Sequence, residues 1–326
     1  METKQENLTL KMLLAGFFAV SIIFFFTPFA MAHDVTPHPH AEDSQVGNTK
    51  HKDAEHGSLG NVGAKLANPL ADLWSMSMNF EFLKFYDGDI NTGDANVGSD
   101  LILQPVMPIP LFGEGDAEWM LITRPVIPIV LSQPVPRGFN EFYNKAGVGD
   151  IQFPAMLAVP GKYAGNWILG GGPIAMFPTA TSDELGSDQF GLGPAVVFGY
   201  RTKKWTAVLF PNYFWKVGSH DQDKDTSDIS QGTLLYALTF NLPNAWQAGT
   251  NPTITYNDKA SSGNKWNVPV GVFVGRTIKW NNMPVNIKFG LEYSVVSQDD
   301  YGKILAFRLQ VTPVIKSLVK NPIFGK

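Results

Sequence analysis

The sequence predicts an all-β fold, a transmembrane up-and-down antiparallel β-barrel of twelve strands that follows a disordered N-terminal segment. Three observations lead to this prediction. Large apolar residues alternate with small or polar ones along most of the chain, long connections alternate with short ones, and tryptophans recur where strands begin. The 31 glycines and 23 prolines also favour strands and turns over helices.

Residues 1–32 have the pattern of a secretory signal peptide. Lys4 and Lys11 precede an apolar run that ends at the small residues Ala30 and Ala32. An uncleaved anchor is the alternative, but the run is short for a spanning helix. The chain has no cysteine and a formal net charge of −4, so we expect neither disulfides nor a nucleic-acid partner.

Residues 33–67 are polar, carry no periodic pattern and are expected to be a disordered periplasmic segment. Five of the six histidines lie here, and His38, His40, His51 and His56 could hold a divalent metal weakly. The alternative is a solvated tail, because no spacing matches a closed structural metal site. We therefore predict no metal centre and no cofactor, and we place the barrel at residues 68–326.

Twelve segments show the alternation of strands, and most reach the about 9–11 residues that a tilted membrane strand needs. The clearest is 74–82, with the sequence WSMSMNFEF. The predicted strands are 73–86, 100–111, 118–131, 147–159, 166–178, 190–201, 204–216, 229–241, 246–257, 264–275, 284–297 and 303–315.

The connections and tryptophans predict how the strands are arranged. Long polar connections at 87–99, 132–146, 179–189, 217–228 and 258–263 nearly alternate with shorter ones, as external loops and periplasmic turns do in outer-membrane barrels. Tryptophan favours the boundary between water and hydrocarbon. Those expected at the short-turn rim are Trp74, Trp119, Trp167, Trp205, Trp246 and Trp280, and those at the opposite rim are Trp215 and Trp266.

One face of each strand is then expected to contact lipid and the other to line the lumen. In the first strand, the residues expected to face lipid are Trp74, Met76, Met78, Phe80 and Phe82, and those expected to face the lumen are Ser75, Ser77, Asn79 and Glu81. A sheet can enter hydrocarbon only when it closes and leaves no unpaired edge. The alternative is a secreted or periplasmic all-β binding protein, since the strands of a soluble sandwich also alternate.

Proline is the main difficulty for a closed barrel. Proline cannot donate to a strand ladder and is normally confined to edges, strand starts or bulges. We therefore expect bulges or shorter strands at these positions. The prolines within predicted strands are Pro105, Pro108, Pro125, Pro128, Pro154, Pro173, Pro194, Pro211, Pro252, Pro269 and Pro313.

Charged residues on the polar faces are the candidate lumen-lining groups, because a charge that faces lipid at mid-depth costs about 2–4 kcal/mol. A turn centred on Asp300 predicts that Glu292 lies opposite Arg308, and Arg124 and Asp150 lie on adjacent strands where they can pair. Two interpretations remain open, a set of salt bridges that fills the lumen and a polar pathway that selects solutes. The candidates are Glu81, Arg124, Asp150, Lys288, Glu292 and Arg308.

Catalysis has little support in the sequence, and we predict that the protein is not an enzyme. The only histidine outside the N-terminal segment is His220, which lies in the acidic stretch SHDQDKDTSD. This stretch lacks the glycine and the closing glutamate of a calcium-binding EF-hand loop, so a solvated external loop is the simpler interpretation.

Several segments together resemble a family of bacterial outer-membrane proteins labelled as transporter, phenol meta-pathway degradation protein or, misleadingly, neuromedin U. The resemblance covers about residues 68–315 and includes NPLADLWSM, LILQPVMPIP, WMLITRPVIPIV, GVGDIQFPAML and WILGGGPIAMFPTATSDELG. It implies an outer-membrane β-barrel in which proline recurs in the strands.

We therefore expect a channel or transporter for small molecules, including apolar or aromatic ones, in the outer membrane of a Gram-negative cell. Its expected partners are outer-membrane lipid, a small-molecule solute and the barrel-assembly machinery.

Overall fold

The computed structural model describes residues 59–219 and 228–325, which form a closed antiparallel β-barrel of twelve strands. Three barrel strands are each broken into two segments, β3 with β4, β5 with β6, and β11 with β12, so fifteen segments build the wall. The segments are β1 (Ser75–Asp87), β2 (Asn96–Phe112), β3 (Trp119–Thr123), β4 (Ile127–Gly138), β5 (Glu141–Val148), β6 (Ile151–Ala158), β7 (Trp167–Phe177), β8 (Gln189–Arg201), β9 (Trp205–Ser219), β10 (Ser230–Asn241), β11 (Trp246–Thr250), β12 (Thr253–Asn257), β13 (Trp266–Trp280), β14 (Met283–Val296) and β15 (Gly302–Pro313).

The first strand closes the ring, because β1 pairs with β2 on one side and with β15 on the other. Every other pairing along the wall is also antiparallel, and among the described segments β5, which extends into the long loops, is paired on one side only. The backbone N–H and C=O groups of the barrel wall thus form hydrogen bonds within the sheet, as they must in hydrocarbon. The predicted twelve-stranded up-and-down barrel is confirmed.

The outer surface of the barrel is apolar, as the alternation predicts. On β13, Val270, Val272 and Val274 are exposed, and Phe289 on β14 is exposed beside them. Tryptophans ring both ends, among them Trp167 at the short-turn end. A soluble protein rarely exposes an apolar band of this extent, so the surface fits a bilayer rather than the soluble alternative.

Two short helices accompany the barrel, α1 at 59–66 and α2 at Gly161–Ala164. No helix within residues 59–219 and 228–325 is long and apolar enough to cross a membrane. Helix α1 lies in the segment 33–67, so the expectation of disorder is wrong at its end. Leu59, Val62 and Leu66 are spaced three and four residues apart, which is the spacing of a helix and not the alternation of a strand. Residues 1–58, with the predicted signal peptide and the histidines, lie outside the described residues.

The prolines are accommodated by gaps and bulges in the ladder. Pro125 and Pro252 lie in the breaks between β3 and β4 and between β11 and β12, and Pro269 lies at a register shift in β13. Pro173 and Pro194 stand opposite each other on β7 and β8. The ladder skips Pro173 on its β6 side and Pro194 on its β9 side, which removes the need for their missing N–H groups.

Two further expectations are wrong. The predicted loop 132–146 is mostly a hairpin of β4 and β5, because its alternation continues to a tight turn at Asn140, which has φ 59°. Trp74 does not face lipid, since its side chain is buried and its indole N–H donates to the carbonyl of Pro108 at 3.0 Å. The C-terminal residues approach it, with the amide of Ile315 donating to the Trp74 carbonyl.

Candidate functional site

The barrel encloses a cavity of about 870 Å³ that extends from the middle of the lumen to the long-loop end. Arg124, Ile174 and Phe210 line its middle, and Glu184 and Tyr301 line its mouth among the long loops. Inward-facing side chains from almost every strand contribute to it, because alternate residues of each strand point into a closed barrel.

The two sides of this cavity differ in chemistry. We call the side built by β6 to β10 the apolar wall, where Pro154, Ile174, Phe210 and Leu235 reach the cavity. The same strands add only uncharged polar side chains to the lining, those of Gln152, Asn212 and Thr233. Ile174 and Phe210 belong to a larger buried cluster that includes Met156, Val197 and Phe214, which fills this half of the lumen. The side built by β1, β2, β14 and β15 we call the polar wall.

The polar wall carries a continuous series of ion pairs across four strands. Its six members are Asp100, Lys84, Glu81, Lys303, Glu292 and Arg308, in that spatial order. The Lys84 ammonium is 2.9 Å from Asp100 and 3.8 Å from Glu81. The Lys303 ammonium is 3.4 Å from Glu81 and 3.7 Å from Glu292. Arg308 Nη1 is 2.9 Å from Glu292 Oε1, and its Nη2 donates to Asn251 at 2.8 Å.

The pair of Glu292 with Arg308 forms as predicted, but the register differs by two residues. Glu292 stands opposite Ala306, and Arg308 stands opposite Gly290. The ion pair therefore runs diagonally, which long side chains on one sheet face can span.

Lys84 is a lumen residue that the sequence pattern assigned to the wrong face. It shares even parity with Met78 and Phe80, which predicts that it faces lipid. A β-bulge between Glu81 and Leu83 shifts the alternation by one and turns Lys84 into the lumen. A bulge re-aims side chains in this way. The cost of a lysine in lipid is the signal that could have revealed it.

Arg124 and Lys288 also line the interior, but they belong to no ion pair among the described residues. Arg124 follows β3 at the strand break, and its Nη2 donates to the side-chain oxygen of Gln104 at 2.9 Å. Its Nε is buried without a hydrogen-bond partner. The Lys288 ammonium lies 4.7 Å from the centroid of the Phe273 ring, a cation–π contact.

Asp150 does not line the cavity and does not pair with Arg124. It lies between β5 and β6, where its carboxylate accepts hydrogen bonds from the amides of Thr179, Ala180 and Ser187. It thus holds the loop between β7 and β8 against the wall. The expected pairing fails because the register places Arg124 beside Pro154, with Val126 opposite Gln152, and so away from Asp150.

Loop contacts at the cavity mouth shift the ionisation of one carboxylate. The Tyr143 hydroxyl donates to Glu184 at 2.7 Å, and the Lys145 ammonium is 3.2 Å away. The hydrogen bond from Tyr143 is the largest of several that lower the pKa of Glu184, to about 2. The same hydrogen bond raises the pKa of Tyr143.

The short-turn end of the lumen is closed by residues 59–73, which we call the plug. A Cβ added at Gly63 would come within 2.6 Å of the Thr277 hydroxyl, and Leu70 packs into the apolar cluster. Between the plug and the wall remains a small cavity of about 30 Å³, lined by Leu66, Arg124 and Lys288 among others. The plug therefore separates the main cavity from the short-turn end.

Comparison with known proteins identifies the family. Residues 112–299, more than half of the chain, match the family described as "Putative MetA-pathway of phenol degradation". The chain belongs to this family. No protein with a curated description matches this family member.

A solved structure shows the same fold. The chain is similar to the COG4313 outer membrane channel from Pseudomonas putida F1, with 14% identity, a TM-score of 0.54 and coverage of 76% of this chain and 97% of that one. It is less similar to the NanC porin, with 12% identity, a TM-score of 0.44 and coverage of 74% and 99%. For the toluene transporter TodX of Pseudomonas putida the identity is 9%, the TM-score 0.36 and the coverage 77% and 92%. The fold of this family member is that of an outer-membrane β-barrel.

Proposed function

We propose that the protein is an outer-membrane channel that carries small, largely apolar or aromatic molecules and is not an enzyme. The observation that supports this most directly is the cavity of about 870 Å³ inside a closed barrel with an apolar outer surface. Its volume lies within the about 300–1,000 Å³ typical of small-molecule sites.

The apolar wall supports an apolar or aromatic solute. Phe210 and Leu235 stand opposite each other on β9 and β10, and Ile174 on β7 lines the same cavity, so contact with an apolar solute removes apolar surface from water. The carboxylates of the polar wall are each held by a cation, so the described residues of this wall present no isolated acid as a catalytic group. The lumen candidates Glu81, Arg124, Lys288, Glu292 and Arg308 form part of this proposed pathway.

Outer-membrane lipid and the barrel-assembly machinery are the partners that this proposal requires. The last strand supports it, because Leu305, Phe307 and Leu309 form a continuous lipid-facing row on β15. Depletion of the assembly machinery should leave the chain unfolded, which an unheated gel reports as loss of the compact, fast-migrating form.

Uptake by whole cells tests the proposed function. Cells of a Gram-negative host that express the chain should accumulate radiolabelled toluene from dilute medium faster than host cells alone, and glucose no faster. The matched variant is Ile174→Asp, which places a charge in the apolar wall and should slow uptake of toluene alone. Equal uptake of both solutes, or of toluene by both cell lines, contradicts the proposal.

A further inference from the structure

The described residues that line the two cavities include more cations than carboxylates. Lys84, Lys303 and Arg308 are held by Glu81, Asp100 and Glu292 in the ion pairs of the polar wall. The remaining carboxylate of the lining, Glu184, is occupied by Tyr143 and Lys145 at the mouth. Two cations of the described lining, Arg124 and Lys288, are left without a carboxylate.

Arg124 has hydrogen-bond capacity that the protein leaves unused. A guanidinium has five N–H donors, and here one bond to Gln104 is formed while the Nε is buried and unpaired. A buried donor without a partner is costly, and a charged one more so. Arg124 lies at a strand break beside Pro125, and its side chain lines the lumen.

Lys288 lies within reach of the same space. Lys288 is only 8% exposed, and its ammonium lies over the Phe273 ring. Arg124 and Lys288 both line the small cavity of about 30 Å³, which holds about one water molecule. The two cations therefore share a single narrow space, and Arg124 also reaches the main cavity.

The surroundings of this pair define the chemistry of a ligand. Gln104 and Gln310 supply further amide groups beside the cations. Across the cavity the apolar wall presents Ile174 and Phe210. A ligand that satisfies both sides has an anionic oxygen group at one end and an apolar body at the other, and a planar carboxylate matches the fork of an arginine.

We propose that Arg124 binds the carboxylate of a small organic acid whose apolar body lies against the apolar wall, and that Lys288, which lines only the small cavity beside Arg124, adds positive charge to this side of the site. This inference rests on the proposed function, because it names the class of solute that the same cavity takes. The plug lies directly beneath the site, so the bound acid would contact the boundary of the closed end.

Equilibrium dialysis of the detergent-solubilised full-length chain tests the site, with radiolabelled benzoate as the probe at pH 7. Benzyl alcohol serves as the neutral probe of similar size. We expect benzoate to bind at least about tenfold more tightly than benzyl alcohol, and Arg124→Gln to weaken benzoate binding about tenfold. Arg124→Lys keeps the charge but loses the planar fork, and its affinity for benzoate should lie between those of the unchanged chain and Arg124→Gln.

Lys288→Met tests the second cation independently, since methionine packs against Phe273 without a charge. It should weaken benzoate binding and leave binding of benzyl alcohol unchanged. The matched control is Lys216→Gln, which removes a lysine outside the cavity that pairs with Asp228 at 2.7 Å. The unheated gel shift identifies any variant that fails to fold, and the remaining variants then decide the result.

The outcomes separate this inference from the proposed function. If the barrel takes up toluene but binds benzoate and benzyl alcohol equally, or if Arg124→Gln and Lys288→Met bind benzoate as tightly as Lys216→Gln, the carboxylate site is wrong and the channel stands. If benzoate binding depends on Arg124 and Lys288 but no solute crosses, with or without the plug, the site stands and the channel is wrong.

Discussion

The two walls of the lumen are stabilised in opposite ways. The apolar wall is filled by interdigitated side chains such as Met156, Val197 and Phe214, and so behaves like the core of a soluble protein. The polar wall is held by ion pairs, each cation of which contacts one or two carboxylates. The difference shows that one barrel can combine a surface for apolar solutes with a charged surface that stays fixed.

The plug contacts both walls, so its removal is expected to have the largest effect. Deletion of residues 59–73 should raise the single-channel conductance in a planar bilayer at least about tenfold, because the short-turn end then opens to water. Deletion of residues 33–58 is the control, since it shortens the chain and leaves the plug. An equal conductance for the two deletions would show that the plug does not close the pathway.

Disruption of the ion pairs of the polar wall is expected to have the second largest effect. Glu292→Leu leaves Arg308 without a carboxylate and Lys303 with Glu81 alone, and removal of one partner from a buried ion pair costs about 3–5 kcal/mol. The free energy of unfolding, measured by urea titration in detergent, should fall by this amount. Glu141→Leu removes an exposed glutamate at the hairpin tip and should change little. A similar loss in both variants would mean that the ion pairs do not stabilise the wall.

A substitution in the apolar wall is expected to cause a smaller loss in the free energy of unfolding. Phe210→Ala removes a mostly buried ring that faces the cavity, which costs about 3 kcal/mol, the lower end for such changes because one side of the ring is already open. The same urea titration measures it, with Phe240→Ala on the outer surface as the control. An unchanged midpoint would indicate that this wall is loosely packed.

The smallest effect concerns the mouth, away from both walls. Because the pKa of Glu184 is lowered in the folded protein, from 4.5 to about 2, its contribution to loop stability is present above about pH 4.5 and is lost as the pH falls towards 2. Limited proteolysis of the loop 178–188 with an acid-active protease should accelerate across this window. Tyr143→Phe should move the change to higher pH, and an identical pH profile would contradict the assignment.

The barrel itself could be predicted from the sequence because period-two alternation reports directly which face of a strand is buried. The strand count and the alternation of loops and turns followed from the same signal. The prediction failed where the period breaks. The bulge at Phe82 and Leu83 reassigns Lys84, and a shift of two residues in the last hairpin changes which residue stands opposite Arg308.

The plug could not be predicted for a different reason. Helix α1 is short and contains Gly60 and Gly63, so its own helical propensity is low. Its stability comes from packing inside the barrel, where Gly63 fits closely against Thr277 and Gln247. Three-dimensional closure also brings together Lys303 and Glu81, which are far apart in the sequence.

The C-terminal segment has a consequence for how the cylinder resists being pulled open. After β15 the chain continues past Trp74, and the amides of Ile323 and Phe324 donate to the carbonyls of Pro110 and Leu111 at the end of β2. This C-terminal segment therefore spans the seam where the first and last strands, β1 and β15, pair. Shear along that seam must break these C-terminal hydrogen bonds as well as the ladder between β1 and β15, so two sets of bonds hold the junction.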